Sequence, residues 1–301
     1  MAKEKKEKWV EESVGLSKRE QIIKQIAYNL ILILVCIAVL WPVLWVVQMA
    51  FTPNGAVSIG GEVSDVSYTL QERLSNFDYV IFRQKDGQYL FFHQLWNSVL
   101  VSVITTLIGV MLACTAAYGF ARLNFAGRQM GLQAFLVTQM FPGVVMMIPL
   151  YIILGKLGLT NNVLGLVLVY SISALPFCVW NLKGYFDTIP KELEEAAIVD
   201  GASRWRIFFT IVLPLARPAI AITALFSFMT AWNEFILAAT FMNDEINYTL
   251  PVALKQFVGA QDIKYGYFAA GSILVSIPIM ALFFALQKHL VGGLTAGSVK
   301  G

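Results

Sequence analysis

Few side chains in this 301-residue sequence have the types and spacing that bond-breaking chemistry needs. Two histidines, His93 and His289, are too few for an imidazole metal site or a nucleophile with its base. The three cysteines, Cys36, Cys114 and Cys178, each lie in an apolar stretch and read as small core residues, not as a disulfide or metal framework. No Gly-x-x-x-x-Gly-Lys-Ser/Thr loop offers backbone amides to nucleotide phosphates. The chain is therefore expected to be no enzyme, with no catalytic residue, no metal site and no cofactor of its own. Two places remain: Asn233-Glu234, an amide and a carboxylate inside an apolar run, and the stretch from Phe186 to Pro214, which combines Glu192, Glu194 and Glu195 with Gly201, Arg204 and Arg206. Groups of these kinds line paths, cap helices and dock partners.

The elements that carry them follow from composition. With 57% hydrophobic and 14% charged residues, the chain has too little polar surface to cover a water-soluble globule, whose charged fraction runs nearer a quarter. A bilayer is its solvent. A net charge of +3 gives no case for a nucleic-acid partner. A spanning helix needs about 20 mostly apolar residues. Six windows qualify, at about 26–49, 97–121, 132–154, 163–185, 217–239 and 267–290, between a segment 1–25 and a tail 291–301. The expected fold is all-α, a polytopic membrane protein of six transmembrane helices.

Orientation follows from lysine and arginine, which stay on the cytoplasmic side of short loops. Lys3 to Lys24, Arg122 with Arg128, and Lys183 to Arg206 mark three basic segments, while the first connection, Phe51 to Trp96, and the one from Asp244 to Lys264 are poor in basic residues. Both termini are thus expected in the cytoplasm. Ser17-Lys18-Arg19-Glu20 has the capping-box form and predicts a short interfacial helix before the first span.

Inside the spans, charge is nearly absent, which disfavours an ion-coupled carrier or channel. Glu234 is the exception, about 25 Å along its span from Arg217 and so near the outer interface. Two readings stay open for it: a carboxylate that snorkels to outer water or caps a neighbouring helix, or a gate or cavity-lining pair with Asn233. Gln139 and Asn181 read as glue between helices. Pro42, Pro142, Pro149, Pro176, Pro214, Pro218 and Pro278 lie in or beside spans and permit kinks.

In the Phe186–Pro214 connection, Thr188 or Ile189 can cap a helix that starts near Pro190, with the glutamates at the positive end of its dipole. Gly201 can take the left-handed conformation that ends it, and Ser203 can cap a second helix. Leu193, Ala196 and Ala197 form an apolar strip. So short a helix is marginal in water alone and needs a partner. Its glutamates argue against an anionic lipid surface and for a cytoplasmic protein.

These residues carry a resemblance. Glu195-Ala196-Ala197, three residues, Gly201, nine residues, then Ile211-Val212-Leu213-Pro214 resembles the EAA signature of membrane subunits of ABC importers. The run Ala117 to Arg122, Lys183-Gly184-Tyr185-Phe186 and the ending Gly293 to Gly301 look like the second permease subunit of maltose/maltodextrin-type carbohydrate importers.

The resemblance implies that the short helix is a cytoplasmic coupling helix in an ATPase cleft, with Glu195, Ala196, Ala197, Gly201, Leu213 and Pro214 as its coupling residues. It implies a tail contact with the ATPases through Thr295, Gly297, Lys300 and Gly301, and a place for the Asn243–Lys264 connection against a solute-binding protein. The implied assembly is a homologous second permease subunit, two cytoplasmic ABC ATPase subunits that bind ATP and Mg, and an extracellular or periplasmic sugar-binding protein. The implied site is a bacterial inner membrane. A permease for another solute, such as glycerol phosphate or another sugar, stays open, as do a channel and a non-transporting scaffold.

Overall fold

The structure is a computed structural model that describes residues 18–53, 68–259 and 264–296, the first and the last nine of them as backbone alone. Ser17 of the capping box, Gly297, Lys300 and Gly301 lie outside the described residues, as does the side chain of Thr295. Helix dominates. In chain order it comprises α1 (Lys18–Ala50), α2 (Leu70–Phe82), a hairpin of β1 (Gln84–Lys85) and β2 (Gln88–Tyr89), α3 (Leu90–Arg122), α4 (Arg128–Met140), α5 (Gly143–Lys156) and α6 (Val163–Phe186). There follow α7 (Glu192–Val199), α8 (Arg204–Ile207), a π turn (Phe208–Val212), α9 (Leu213–Leu215), α10 (Arg217–Asn233), α11 (Ile236–Phe241), a 3-10 turn (Glu245–Asn247), α12 (Leu250–Lys255) and α13 (Tyr265–Ala296). The sequence pattern gives no sign of the hairpin beyond Asp86-Gly87, whose positive φ angles of 51° and 76° suit a two-residue turn.

Among the described residues, α1, α3, α6 and α13 are long and apolar enough to cross a membrane, and two bent pairs raise the number to six if each pair is one span. The window at 132–154 is one such pair: α4 and α5 meet at 98° across Phe141-Pro142. The other is the run Arg204–Leu215 with α10, which meet at 77°. Pro142, Pro214 and Pro218 sit at these breaks, whereas Pro42, Pro149, Pro176 and Pro278 lie inside continuous helices. A missing N–H permits a bend without requiring one. The window at 217–239 is not one helix either, since Glu234 is extended (φ −68°, ψ 129°) between α10 and α11. Among the described residues no separate interfacial helix precedes the first window. Instead α1 runs unbroken from Lys18 for 33 residues, about 50 Å, and α13 carries helix into the expected tail as far as Ala296.

The chain divides into two compact units. In the first, the C-terminal end of α1 is tied down by Asn76 of α2, which is buried and donates from Nδ2 to the carbonyls of Ala50 and Thr52, both at 2.9 Å. Those carbonyls close a helix end that has no further amides of its own. Phe51 against Phe77 and Tyr79 stacked on Tyr267 complete that junction. Elsewhere α1 leaves its apolar side chains exposed, Cys36 among them, so this cysteine is not a core residue.

The second unit is built on α3, α6 and α10. One apolar cluster joins Ala113, Ala117 and Ala121 of α3 to Cys178, Leu182 and Phe186 of α6 and to Ile207, Phe208 and Val212. Small side chains on α3 let the backbones approach. A second cluster joins Val101 of α3, Leu166 and Val169 of α6, Ala231 of α10 and Phe241 of α11. Polar glue is as the sequence implies: Asn181 donates to Thr223 (2.7 Å) between α6 and α10, and Gln139 to the Ser173 carbonyl (3.4 Å) between α4 and α6.

Candidate coupling site

The Phe186–Pro214 connection folds into two short helices around a glycine turn. The first begins two residues later than its sequence predicts. Thr188 spends its hydroxyl on the Tyr185 carbonyl (2.7 Å) and closes α6, so neither it nor Ile189 caps α7. The first turn of α7 forms on the Lys191 carbonyl, which accepts from the amides of Glu194 and Glu195, both at 2.9 Å. At its end Gly201 has φ +81°; its amide reaches the Ile198 carbonyl (3.0 Å), and the next amide, of Ala202, reaches Ala197 (2.9 Å). This is the double closure that a left-handed residue after a helix makes possible. Ser203 then caps α8, its hydroxyl accepting from the Arg206 amide at 3.3 Å.

Eight residues of helix do not hold themselves in place. The fastening is Glu194, read from the sequence as dipole charge and as part of an acidic surface, with no inward contact. Its carboxylate is buried against the end of α3, where Arg122 donates from Nε to Oε1 (2.5 Å) and the Tyr118 hydroxyl to Oε2 (3.1 Å). A terminal nitrogen of the same guanidinium reaches the carbonyls of Phe186 and Ile189, each at 2.9 Å. Both partners of the ion pair are about nine-tenths buried, at 8% and 9% side-chain exposure. At that burial, removing either leaves an uncompensated charge worth about 3–5 kcal/mol. The signal available in the sequence was an arginine closing an apolar span, read there as a marker of sidedness and as the end of the Ala117–Arg122 run, not as an ion-pair partner.

With Glu194 turned inward, the predicted apolar strip divides. Ala197 packs toward the α3–α6 core, whereas Leu193, Glu195, Ala196, Ile198 and Val199 remain exposed. Val199 is 88% exposed. The structure thus brings Glu195, Ala196, Ala197 and Gly201 onto one small projection. Leu213 and Pro214 are half-buried and lie beyond the π turn, in which the Leu213 amide reaches back five residues to Phe208.

Asn233 and Glu234 are not part of this site. Glu234 accepts from the amides of Leu237 (2.9 Å) and Ala238 (3.1 Å), capping α11, and it pairs with the Tyr170 hydroxyl of α6. Asn233 is exposed. The geometry thus gives Glu234 the capping role among the readings its sequence left open.

At the end of α3 away from α7, a second polar fastening holds the Asn243–Leu250 segment. Gln94 and Asn97 donate to the carbonyls of Glu245 and Ile246, and Ser98 accepts from the Leu250 amide at 2.7 Å. Asn161, in the left-handed region at φ 56°, accepts from the amides of Asn243 and Asp244 and donates to Asp244 Oδ2 at 2.5 Å. Arg83 and Lys85 pair with Glu245. This stretch is fastened rather than loosely solvated.

Residues 106–295 match the family model described as binding-protein-dependent transport system inner membrane component. The chain belongs to that family. Its α6, α7 and α10 fall wholly within the matched span, and α3 from Thr106 onward. Among curated relatives of this inner membrane component, the maltose/maltodextrin transport system permease protein MalG of Vibrio vulnificus is 42% identical over 212 residues, 69% of this chain and 72% of that protein. The galactooligosaccharides transport system permease protein GanQ of Bacillus subtilis is 34% identical over 94% of this chain and 98% of its own length. The maltodextrin transport system permease protein MdxG of the same species is 33% identical over 93% and 98%. A solved bacterial ABC transporter involved in import of the acidic polysaccharide alginate has the same fold, with TM-score 0.72 at 22% identity over 91% of this chain and 98% of its own.

Proposed function

We propose that this binding-protein-dependent transport component is one of two permease subunits of an ATP-driven importer for maltodextrin or a related oligosaccharide, and that α7 is its contact with the ATPases. The observation that carries the contact is the projection itself: a short helix pinned by a buried ion pair, with Leu193, Glu195, Ile198 and Val199 left facing solvent. Apolar side chains beside an acidic one suit a cleft in a protein better than water. The sugar reading is supported by the printed names of the relatives, which concern maltodextrins and galactooligosaccharides.

In this reading α7 and both termini are cytoplasmic, and the fastened Asn243–Leu250 segment faces the sugar-binding protein outside. Two partner ATPase subunits bind ATP and Mg. Their closure on ATP displaces α7, and the bent helices pass the pathway from inward-facing to outward-facing. Thr295, Gly297, Lys300 and Gly301 form a second ATPase contact. Asn233 and Glu234 sit beside the pathway, where the break between α10 and α11 provides a place for it to bend. The test is purification of the tagged chain in mild detergent, followed by ATPase assays with binding protein and a panel of sugars. Recovery with a second permease and two ATPases, with hydrolysis stimulated by one oligosaccharide, is expected. Recovery alone, without nucleotide hydrolysis, would reject the proposal.

A further inference from the structure

We infer that Arg122 makes the ends of α3 and α6 and the first turn of α7 one rigid body, so that displacement of α7 enters the membrane helices through α3 and α6, with α10 as the yielding branch. The inference rests on the coupling reading of α7 given above.

The bonds of one guanidinium carry it. From the last residue of α3, Arg122 reaches a carboxylate on α7, 72 positions away in the chain, the last carbonyl of α6 and a carbonyl in the turn between them. Tyr118, one turn earlier on α3, holds the second carboxylate oxygen. These bonds point in different directions, so sliding or rotating α7 against α3 breaks at least one of them. Each break would strand a charge or a carbonyl out of contact with water. The Phe186 carbonyl also accepts from the Ile189 amide at 3.1 Å, which keeps the α6 corner tight.

The branch toward α10 is built differently. After α7 come the left-handed Gly201, the four residues of α8, the π turn, the three residues of α9 and the 77° bend into α10. Pro214 and Pro218 each remove an amide from this path. Ile207, Phe208 and Val212 do pack on the α3–α6 core. Apolar contact is non-directional and tolerates sliding, where charged hydrogen bonds do not. The two branches therefore differ in stiffness.

The experiment uses the assembled complex in lipid nanodiscs, with Cys36, Cys114 and Cys178 replaced by alanine. Spin labels are placed at two pairs of exposed positions, Ala196 with Asn124 and Ala196 with Leu215, and distances are read without nucleotide and with trapped ATP. The expected result is a constant 196–124 distance and a shifted 196–215 distance. A shifted 196–124 distance, with the Ala196 label immobilised by the ATPase, would overturn the inference while leaving the coupling reading intact. An Ala196 label that stays mobile in the complex would remove the coupling reading, and the inference with it. Arg122→Gln supplies an independent readout. Sugar transported per ATP hydrolysed should fall at least tenfold, with Arg122→Lys restoring part of it and Pro218→Ala, in the first turn of α10, staying within twofold of the parent. The reverse order of Arg122→Gln and Pro218→Ala would assign transmission to α10.

Discussion

Gly201 separates a backbone requirement from a contact with a partner. Its φ of +81° lies where a residue with a Cβ is strained, yet a Cβ built there meets nothing within 4 Å. Within this chain the whole cost of substitution is therefore conformational, about 1–2 kcal/mol for an ordinary L-residue. Alanine also restricts the unfolded chain, which returns about 0.4–1 kcal/mol in cases where the native backbone suits it; here it does not. An increase of 1–2 kcal/mol multiplies the opening of the last turn of α7 by roughly 5 to 30. Asparagine visits the left-handed region at lower cost, and a β-branched residue at higher cost. The expected order for hydrogen exchange protection at residues 197–202, and for sugar-stimulated ATP hydrolysis, is glycine, then Gly201→Asn, Gly201→Ala and Gly201→Val. If Asn performed as badly as Val in hydrolysis while keeping its protection, the requirement would be a bare surface against the ATPase, and the conformational reasoning would be wrong. Full activity of Gly201→Val would refute both.

Three further outcomes follow from local geometry. Gly165→Ala puts a Cβ 2.2 Å from the Leu159 carbonyl oxygen, so the turn before α6 has to move by more than 1 Å. A loss of about 3 kcal/mol, seen as a lower thermal midpoint in detergent, is expected; an unchanged midpoint would show that the turn is free to shift despite the bonds of Asn161. Glu234→Ala strands the amides of Leu237 and Ala238, at about 1–3 kcal/mol for a buried donor, while Glu234→Gln retains an acceptor and should cost less; equal losses would reject the capping role. Glu72 is held below its usual 4.5, first by the Thr69 amide and then by the Thr69 hydroxyl, at the start of α2. A carboxyl lowered in the folded state adds stability above pH 4.5 that disappears as pH falls through the lower folded value. Protection factors for amide exchange at residues 70–73, each corrected for the intrinsic rate at its pH, should fall from pH 6 to pH 3, and Glu72→Gln should abolish the difference; a corrected pH response that survives the substitution would assign it elsewhere.

Much of the connection from α6 to α10 is written locally. The left-handed Gly201 and the Ser203 cap both depend on amides within five residues, so sequence spacing determines them. The same holds for the glutamates at the start of α7. Local rules also erred: Thr188 could cap forward or close α6 behind it, and the second choice won because the Tyr185 carbonyl lies one turn back. For Glu234, spacing to the amides three and four residues on permitted a cap, but nothing local showed that the helix would break there.

By itself the sequence determined that this chain lives in a bilayer, because apolar windows too long and too numerous for a soluble core leave no other solvent. It also determined the helix, glycine turn and helix that project from it, because capping acts over a few residues. Only the tertiary structure decided which glutamate faces inward. The Arg122–Glu194 bond spans 72 positions, and the Asn161 bonds to Asn243 and Asp244 span 82 and 83. At such separations, contact depends on how α3, α6 and α10 pack. Their apolar faces carry no mark of rotation or register, so the burial of an arginine and the exposure of Glu195 became settled when the helices met.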